Sequence, residues 1–263
     1  VVKGLSAQPM DGAPAPRLCE TPAGMLNAVG LQNIGVRRFI EEKLPALRRY
    51  DTAIIANIFG HTVEEYVEVI SQLEQAEGLA AYELNISCPN VKQGGAEFGT
   101  NPQLTGEVVA AARRAAKRRP LIVKLSPNVT DIAEVSRAAE EAGAQALSVV
   151  NTFTGMAIDV ASRRSRLGQP TGGLSGPAIK PLALRMVWEA ARAVRIPVIG
   201  LGGIASGEDA AEFLVVGARA VQVGTANFVH PSAAVRILEE LETYCGSNNI
   251  GAVSELYGTL RTN

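Results

Sequence analysis

Pro120-Leu121-Ile122-Val123-Lys124-Leu125-Ser126, followed by Asp131 and an amphipathic run to Gly143, decides how the chain is read. Consecutive β-branched and leucine residues without alternation describe a strand buried on both faces, as in a parallel sheet covered by helices. Asp131 is suited to cap the following helix and Gly143 to end it, and a second apolar run begins at Ala146. The unit is therefore strand, helix, strand. It recurs outward in both directions, with strand-like runs at 1–5, 52–59, 81–87, 120–126, 146–152, 197–204 and 220–227. Amphipathic helices are expected near 36–48, 62–77, 102–118, 131–142, 178–194, 207–216 and 231–244. Ser206 marks another helix start and Gly217 another helix stop.

Alternation of this kind requires right-handed crossovers and a parallel sheet. Seven strands are one short of a closed α/β (β/α)8 TIM barrel, and the chain starts inside a strand at Val1-Val2-Lys3 without an initiator Met. The expectation is one barrel domain over residues 1–263 whose first strand is missing from the sequence as it starts here. A seven-stranded open sheet is the competing architecture. Two connections, 6–35 and 153–177, are too long for ordinary turns and are expected to be irregular and either functional or mobile.

Hydrophobic residues make up 47% of the chain and charged residues 19%, which excludes a disordered polypeptide. A net charge of -1 offers no electrostatic basis for binding nucleic acid or an anionic membrane. No apolar run reaches the length of a membrane span and no secretory signal is visible, so a cytoplasmic protein is expected. Cys19, Cys88 and Cys245 fit neither a disulfide framework nor a zinc motif. Cys19 and Cys245 read as small buried hydrophobes.

Chemistry in a parallel barrel sits at the C-terminal strand ends. Those ends offer Lys3, Asn57, Asn85, Lys124, Asn151 with Thr152, Gly202-Gly203 and Gly224-Thr225, and the first long connection adds Asn27. Asparagine is disfavoured in strands, so its repetition at one face points to a shared ligand with imide or amide groups. Gly200-Leu201-Gly202-Gly203-Ile204 before Ser206 reads as an anion site of backbone N–H groups and a helix N-terminus, completed by Gly224-Thr225. Lys124 is expected to be a fixed cation able to stabilise an anionic reduced cofactor. Glu83-Leu84-Asn85-Ile86-Ser87-Cys88-Pro89-Asn90 places a thiol between two amides at a strand end. With only His61 and His230 elsewhere, Cys88 is the best candidate proton acceptor.

These motifs, with Pro22-Ala23-Gly24-Met25-Leu26-Asn27, Gly30-Leu31-Gln32-Asn33, Lys124-Leu125-Ser126-Pro127-Asn128 and Gly173-Leu174-Ser175-Gly176, resemble the class 1B dihydroorotate dehydrogenase catalytic subunits over essentially the whole chain. Val91-Lys92-Gln93-Gly94-Gly95 resembles the NAD-linked class rather than the fumarate-linked one. The resemblance implies oxidation of dihydroorotate to orotate in pyrimidine biosynthesis, with FMN at the top of the barrel. It implies that Cys88 takes the C5 proton while C6 delivers hydride to the flavin. Lys3, Asn27, Asn85, Asn90, Asn151 and Thr152 match substrate-binding positions, and Lys3 also matches the lysine near both substrate and flavin. Asn57, Asn85, Lys124, Gly176, Gly202, Gly203, Gly224 and Thr225 match FMN-binding positions.

The resemblance further implies a homodimer joined to an electron-transfer subunit carrying FAD and a 2Fe-2S cluster, as a heterotetramer that reduces NAD. The family's first strand, with a small-residue motif near the flavin phosphate, has no counterpart here. Two other readings remain at this stage. One is a flavin domain related to dihydropyrimidine dehydrogenase, and the other is a non-catalytic ligand-binding barrel that has lost its flavin.

Overall fold

The computed structural model describes residues 1–87 and 95–261, excepting the side chains of 95–97. Leu121–Lys124 is a strand, as its unbroken apolar run requires, and Ile132–Glu141 is the helix after it. Asp131 caps that helix by accepting from the Ala133 and Glu134 N–H groups at 2.8 and 3.1 Å. Gly143 ends it at φ 102°, a conformation open to glycine.

The strands in chain order are β1 (Leu18–Thr21), β2 (Gly24–Asn27), β3 (Ile55–Ile58), β4 (Ala81–Asn85), β5 (Leu121–Lys124) and β6 (Ala146–Val149). They continue as β7 (Phe153–Gly155), β8 (Ile158–Asp159), β9 (Arg164–Ser165), β10 (Gly172–Ser175), β11 (Val198–Leu201) and β12 (Ala220–Gln222). The main sheet is parallel, ordered β12-β11-β6-β5-β4-β3. Residues 2–5 run beside β3 as a further stave: the Val2 and Leu5 N–H groups donate to Ile55 O and Asn57 O at 2.9 Å. Leu5 and Ile58 form a parallel bridge. The described residues thus supply the seven staves expected.

The ladder register sorts the side chains into two faces. Ile58, Leu84, Val123, Leu147 and Val198 align across five strands and are all buried in the main apolar cluster. Tyr66, Val69, Val108, Val135, Val187 and Phe213 cover this face from the surrounding helices. The alternate positions, Asn57, Glu83, Asn85, Lys124 and Ser148, face inward.

One contact shows that the sheet curls. Gln222 of β12 donates to Glu83 of β4 at 2.7 Å, although the two strands are four places apart in the sheet. In a flat sheet four inter-strand steps would separate them by about 19 Å. Two side chains cannot bridge that, so the fold is an α/β barrel of the (β/α)8 type.

The long connections depart from expectation. Segments 6–35 and 153–177 are not irregular throughout: they pair with one another into an antiparallel sheet ordered β1-β2-β10-β7, with β8 and β9 forming a separate hairpin. Its register sets Asn27 opposite Gly173. The run 220–227 is also shorter as a strand than expected. β12 ends at Gln222, and Ala226–Val229 forms a short helix after Gly224-Thr225.

On the outer side Arg119 is buried and satisfies the end of the Val63–Glu74 helix. It donates to Leu73 O, Leu79 O, Ala76 O and the Tyr82 hydroxyl. Burial, countered in part by Arg119, pushes the Tyr82 phenol up to about 12. Among the described residues no helix is long and apolar enough to cross a membrane.

Candidate active site

Inward-facing polar residues at strand ends converge on one cavity of about 980 Å³ between the barrel mouth and the β1-β2-β10-β7 sheet. Lys3, Asn27, Asn57, Asn85, Lys124, Asn151 and Thr152 line it. So do Gly176, Gly202, Gly203, Gly224 and Thr225. Every expected site residue that is described therefore reaches the same space. Cys88 and Asn90 lie outside the described residues, as does the Val91–Gly94 part of the motif that marked the NAD-linked class.

Hydrogen bonds give these amides fixed directions. Asn85 Oδ1 accepts from the Ser87 hydroxyl at 2.7 Å and the Ser87 N–H at 3.3 Å, so its oxygen edge is committed at the end of β4 itself. Asn151 Nδ2 donates to Ser87 Oγ at 2.9 Å, and its Oδ1 accepts from the Thr152 N–H at 2.8 Å. Ser87 thus ties two amides from neighbouring loops into one unit. Asn27 Nδ2 donates to Gly173 O at 3.3 Å, across the seam where the two long connections meet. Preset amides of this kind select a ring by the order of its donors and acceptors.

The sequence reading missed the residue beneath them. Glu83 is fully buried, and its carboxylate accepts from Asn57 Nδ2, Ser148 Oγ and Gln222 Nε2, each at 2.7 Å. Burial alone would push this carboxyl up. The Lys124 charge, with hydrogen bonds from Gln222, Ser148 and Asn57, outweighs that and holds it below the ordinary carboxylate value. A signal was available: Tyr82-Glu83-Leu84-Asn85 alternates, so Glu83 shares the Asn85 face. Ser148 and Gln222 carried no comparable signal.

The anion site is built differently from expectation. Ser206 caps the Gly207–Val215 helix in a reciprocal box with Asp209, as its sequence suggested. That box uses up the helix N-terminus: Asp209 accepts from the Ala205 and Ser206 N–H groups, and Glu240 accepts from Gly207 N–H. Lys180 bridges Asp209 at 2.6 Å and Glu212 at 3.0 Å. Against the upward push of burial, Lys180 and the Ala205 N–H hold the Asp209 carboxyl below its ordinary value. The donors left over belong to the glycines. The N–H groups of Gly203, Gly224 and Thr225 make no hydrogen bond among the described residues, and all three residues line the cavity.

Fold and site together define an α/β-barrel protein with one cavity at its mouth, lined by asparagines, lysines and glycines. The dihydroorotate dehydrogenase family model matches residues 1–244. A Solibacter usitatus protein provisionally named dihydroorotate dehydrogenase A (fumarate) is 60% identical over 99% of this chain and 86% of its own. Proteins of Trichlorobacter lovleyi and Geotalea uraniireducens, both named dihydroorotate dehydrogenase B (NAD(+)), catalytic subunit, are similarly close. The first is 59% identical over 99% of this chain and 85% of its own, the second 57% over 100% and 86%. The chain belongs to the dihydroorotate dehydrogenase family.

Proposed function

We propose that this protein oxidises dihydroorotate to orotate in pyrimidine biosynthesis, using FMN bound in the barrel-mouth cavity. The observation that carries this reading is the convergence of four asparagines and Lys124 on one cavity beside uncommitted backbone N–H groups. Directed amides suit a ureide ring, and glycine N–H groups suit a phosphate.

The residues fit FMN. A Cβ built at Gly224 would meet no protein atom within 4 Å, so the space there is open to a ligand group. The cavity lies at the upper end of the range for a cofactor with substrate. When bound, FMN supplies the acceptor for the hydride that leaves C6 of dihydroorotate. Asn57 and Lys124 would hold its ring, and Lys3 and Asn85 would reach both ring and substrate. Gly176, Gly202, Gly203, Gly224 and Thr225 would hold its phosphate side.

Lys3, Asn27, Asn85, Asn90, Asn151 and Thr152 orient the substrate so that its C5 faces Cys88. The Cys88 thiolate takes the C5 proton, the electron pair released forms the C5–C6 double bond, and the proton later passes to solvent. The purified protein loaded with FMN should be yellow, and anaerobic dihydroorotate should bleach its flavin band. A protein that cannot be loaded with FMN would sink the reading.

The reading extends to the electron acceptor named in two of the relatives. Electrons pass to NAD through a separate electron-transfer subunit carrying FAD and a 2Fe-2S cluster, joined to a homodimer of this chain as a cytoplasmic heterotetramer. Fumarate, in the name of the Solibacter relative, is the competing acceptor. The protein alone should reduce NAD slowly and gain nothing from fumarate. Robust NAD reduction without a partner would remove the two-subunit reading, and fumarate-dependent turnover would reassign the acceptor.

A further inference from the structure

We infer that Glu83 is a positioning residue for this site, a buried carboxylate that sets the directions of the Asn57 and Gln222 amides and thereby the hydrogen-bonding edge offered to the cofactor ring. The inference rests on the reading that the cavity takes FMN. Glu83 sits on β4 with no exposure to solvent, and its partners come from β3, β6 and β12. Asn57 Nδ2 donates to its Oε1, while Ser148 Oγ and Gln222 Nε2 donate to its Oε2.

An ionised carboxylate only accepts hydrogen bonds. It therefore selects the nitrogen edge of each amide, because turning either one over would set oxygen against oxygen. Asn57 and Gln222 both line the cavity, as does Lys124 on β5. With their nitrogens on Glu83, both amides have their carbonyl edges turned away from it. With Glu83 itself among the lining residues, the cavity floor would then offer two carbonyl acceptors and one ammonium, a pattern suited to a ring edge that carries both N–H and C=O groups. Serine has no such edge to set, and Ser148 does not line the cavity. The carboxylate thus ties four strands together, but only two of its bonds carry information to the ligand.

The test compares Glu83→Gln, Gln222→Glu and the double variant in the FMN-loaded and FMN-free protein. In Glu83→Gln the new amide keeps an acceptor for Asn57, but its nitrogen faces Gln222, whose amide must turn over. FMN should then bind about tenfold more weakly. The flavin midpoint potential should rise, because loss of a nearby negative charge favours the more negative reduced form. The double variant moves the carboxylate to position 222, where it accepts from the new amide at 83 and again offers an oxygen to the cavity. FMN affinity should return to within about threefold of the parent.

Unchanged affinity and potential in Glu83→Gln would overturn the inference. So would a loss of FMN-free melting temperature with no recovery of FMN binding in the double variant, the result expected of a purely structural tie. If Glu83→Gln does not fold, Gln222→Met and Ser148→Ala decide. Gln222→Met removes a cavity-facing edge and should weaken FMN about tenfold, whereas Ser148→Ala should lower the melting temperature with FMN affinity kept. The reverse pattern overturns the inference. Failure of the parent protein to bind FMN would sink the functional reading, and this inference with it. Parent binding with an indifferent Glu83 would sink the inference alone.

Discussion

Replacing Cys88 with serine should slow flavin reduction by dihydroorotate by about 10²–10⁴-fold while FMN binding is kept. The reaction removes a proton from carbon as hydride leaves the neighbouring atom, so a base must be in place when the C5–H bond weakens. A thiol with an unperturbed pKa near 8.5 provides some thiolate at neutral pH, and nearby cations increase the fraction. Lys3 and Lys124 line the cavity together with Asn85, three positions before Cys88 in the chain, and in the proposed reading they supply that charge. A serine hydroxyl offers almost no alkoxide under the same conditions. The pH profile should report the difference. In the parent, the rate rises with pH as the thiol ionises and then levels, whereas in Cys88→Ser it should still be rising where the parent is flat. Anaerobic stopped-flow reduction followed in the visible flavin band measures both. Equal rates at neutral pH would assign proton removal to another group, with His230, which also lines the cavity, next to test.

What could be read ahead of the structure, and what could not, divides by the range of the interactions. β5 and its helix were legible because their signals are local: an apolar run, the Asp131 cap and the Gly143 stop lie within 23 residues of one another. The strand-end amides were legible because asparagine contradicts strand propensity wherever it occurs. The pairing of 6–35 with 153–177 was not, since Asn27 and Gly173 stand 146 residues apart and neither segment alternates clearly. Glu83 was half legible. Its place opposite the apolar face follows from the two-residue period, but its partners Ser148 and Gln222 lie 65 and 139 positions away. The glycines expected to hold an anion do line the cavity, but the helix N-terminus expected to assist them is taken up. Ser206 is the expected cap, but the Asp209 carboxylate that completes the box occupies the N–H groups an anion would have used. A capping box thus argues against a free helix N-terminus, and the burden falls on the glycines.

That division of labour makes two glycines differ sharply in what alanine does to them. Gly203 has φ 84°, and a Cβ there would lie 2.8 Å from the Lys180 N and Cβ and 2.9 Å from Gly176 O. Two of those three atoms are backbone, and Lys180 is held in place by its bridges to Asp209 and Glu212. The positive φ costs about 1–2 kcal/mol and the overpacking about 1–3 kcal/mol, so Gly203→Ala should destabilise the ligand-free protein by roughly 2–5 kcal/mol. For a chain of this size that corresponds to a melting temperature lower by roughly 4–20 °C. Gly224 has no such constraint, since its added Cβ meets no protein atom within 4 Å and its φ is not positive. Gly224→Ala should leave ligand-free melting unchanged to within about 0.5 kcal/mol. Its methyl group instead enters open space beside a cavity-lining glycine, where the proposed phosphate would approach. FMN affinity should fall by about tenfold or more, equivalent to at least about 1.4 kcal/mol. Melting curves of the ligand-free variants and fluorescence titration with FMN separate the two effects. If Gly224→Ala binds FMN as tightly as the parent, the phosphate lies elsewhere and the glycine cradle has only a structural role.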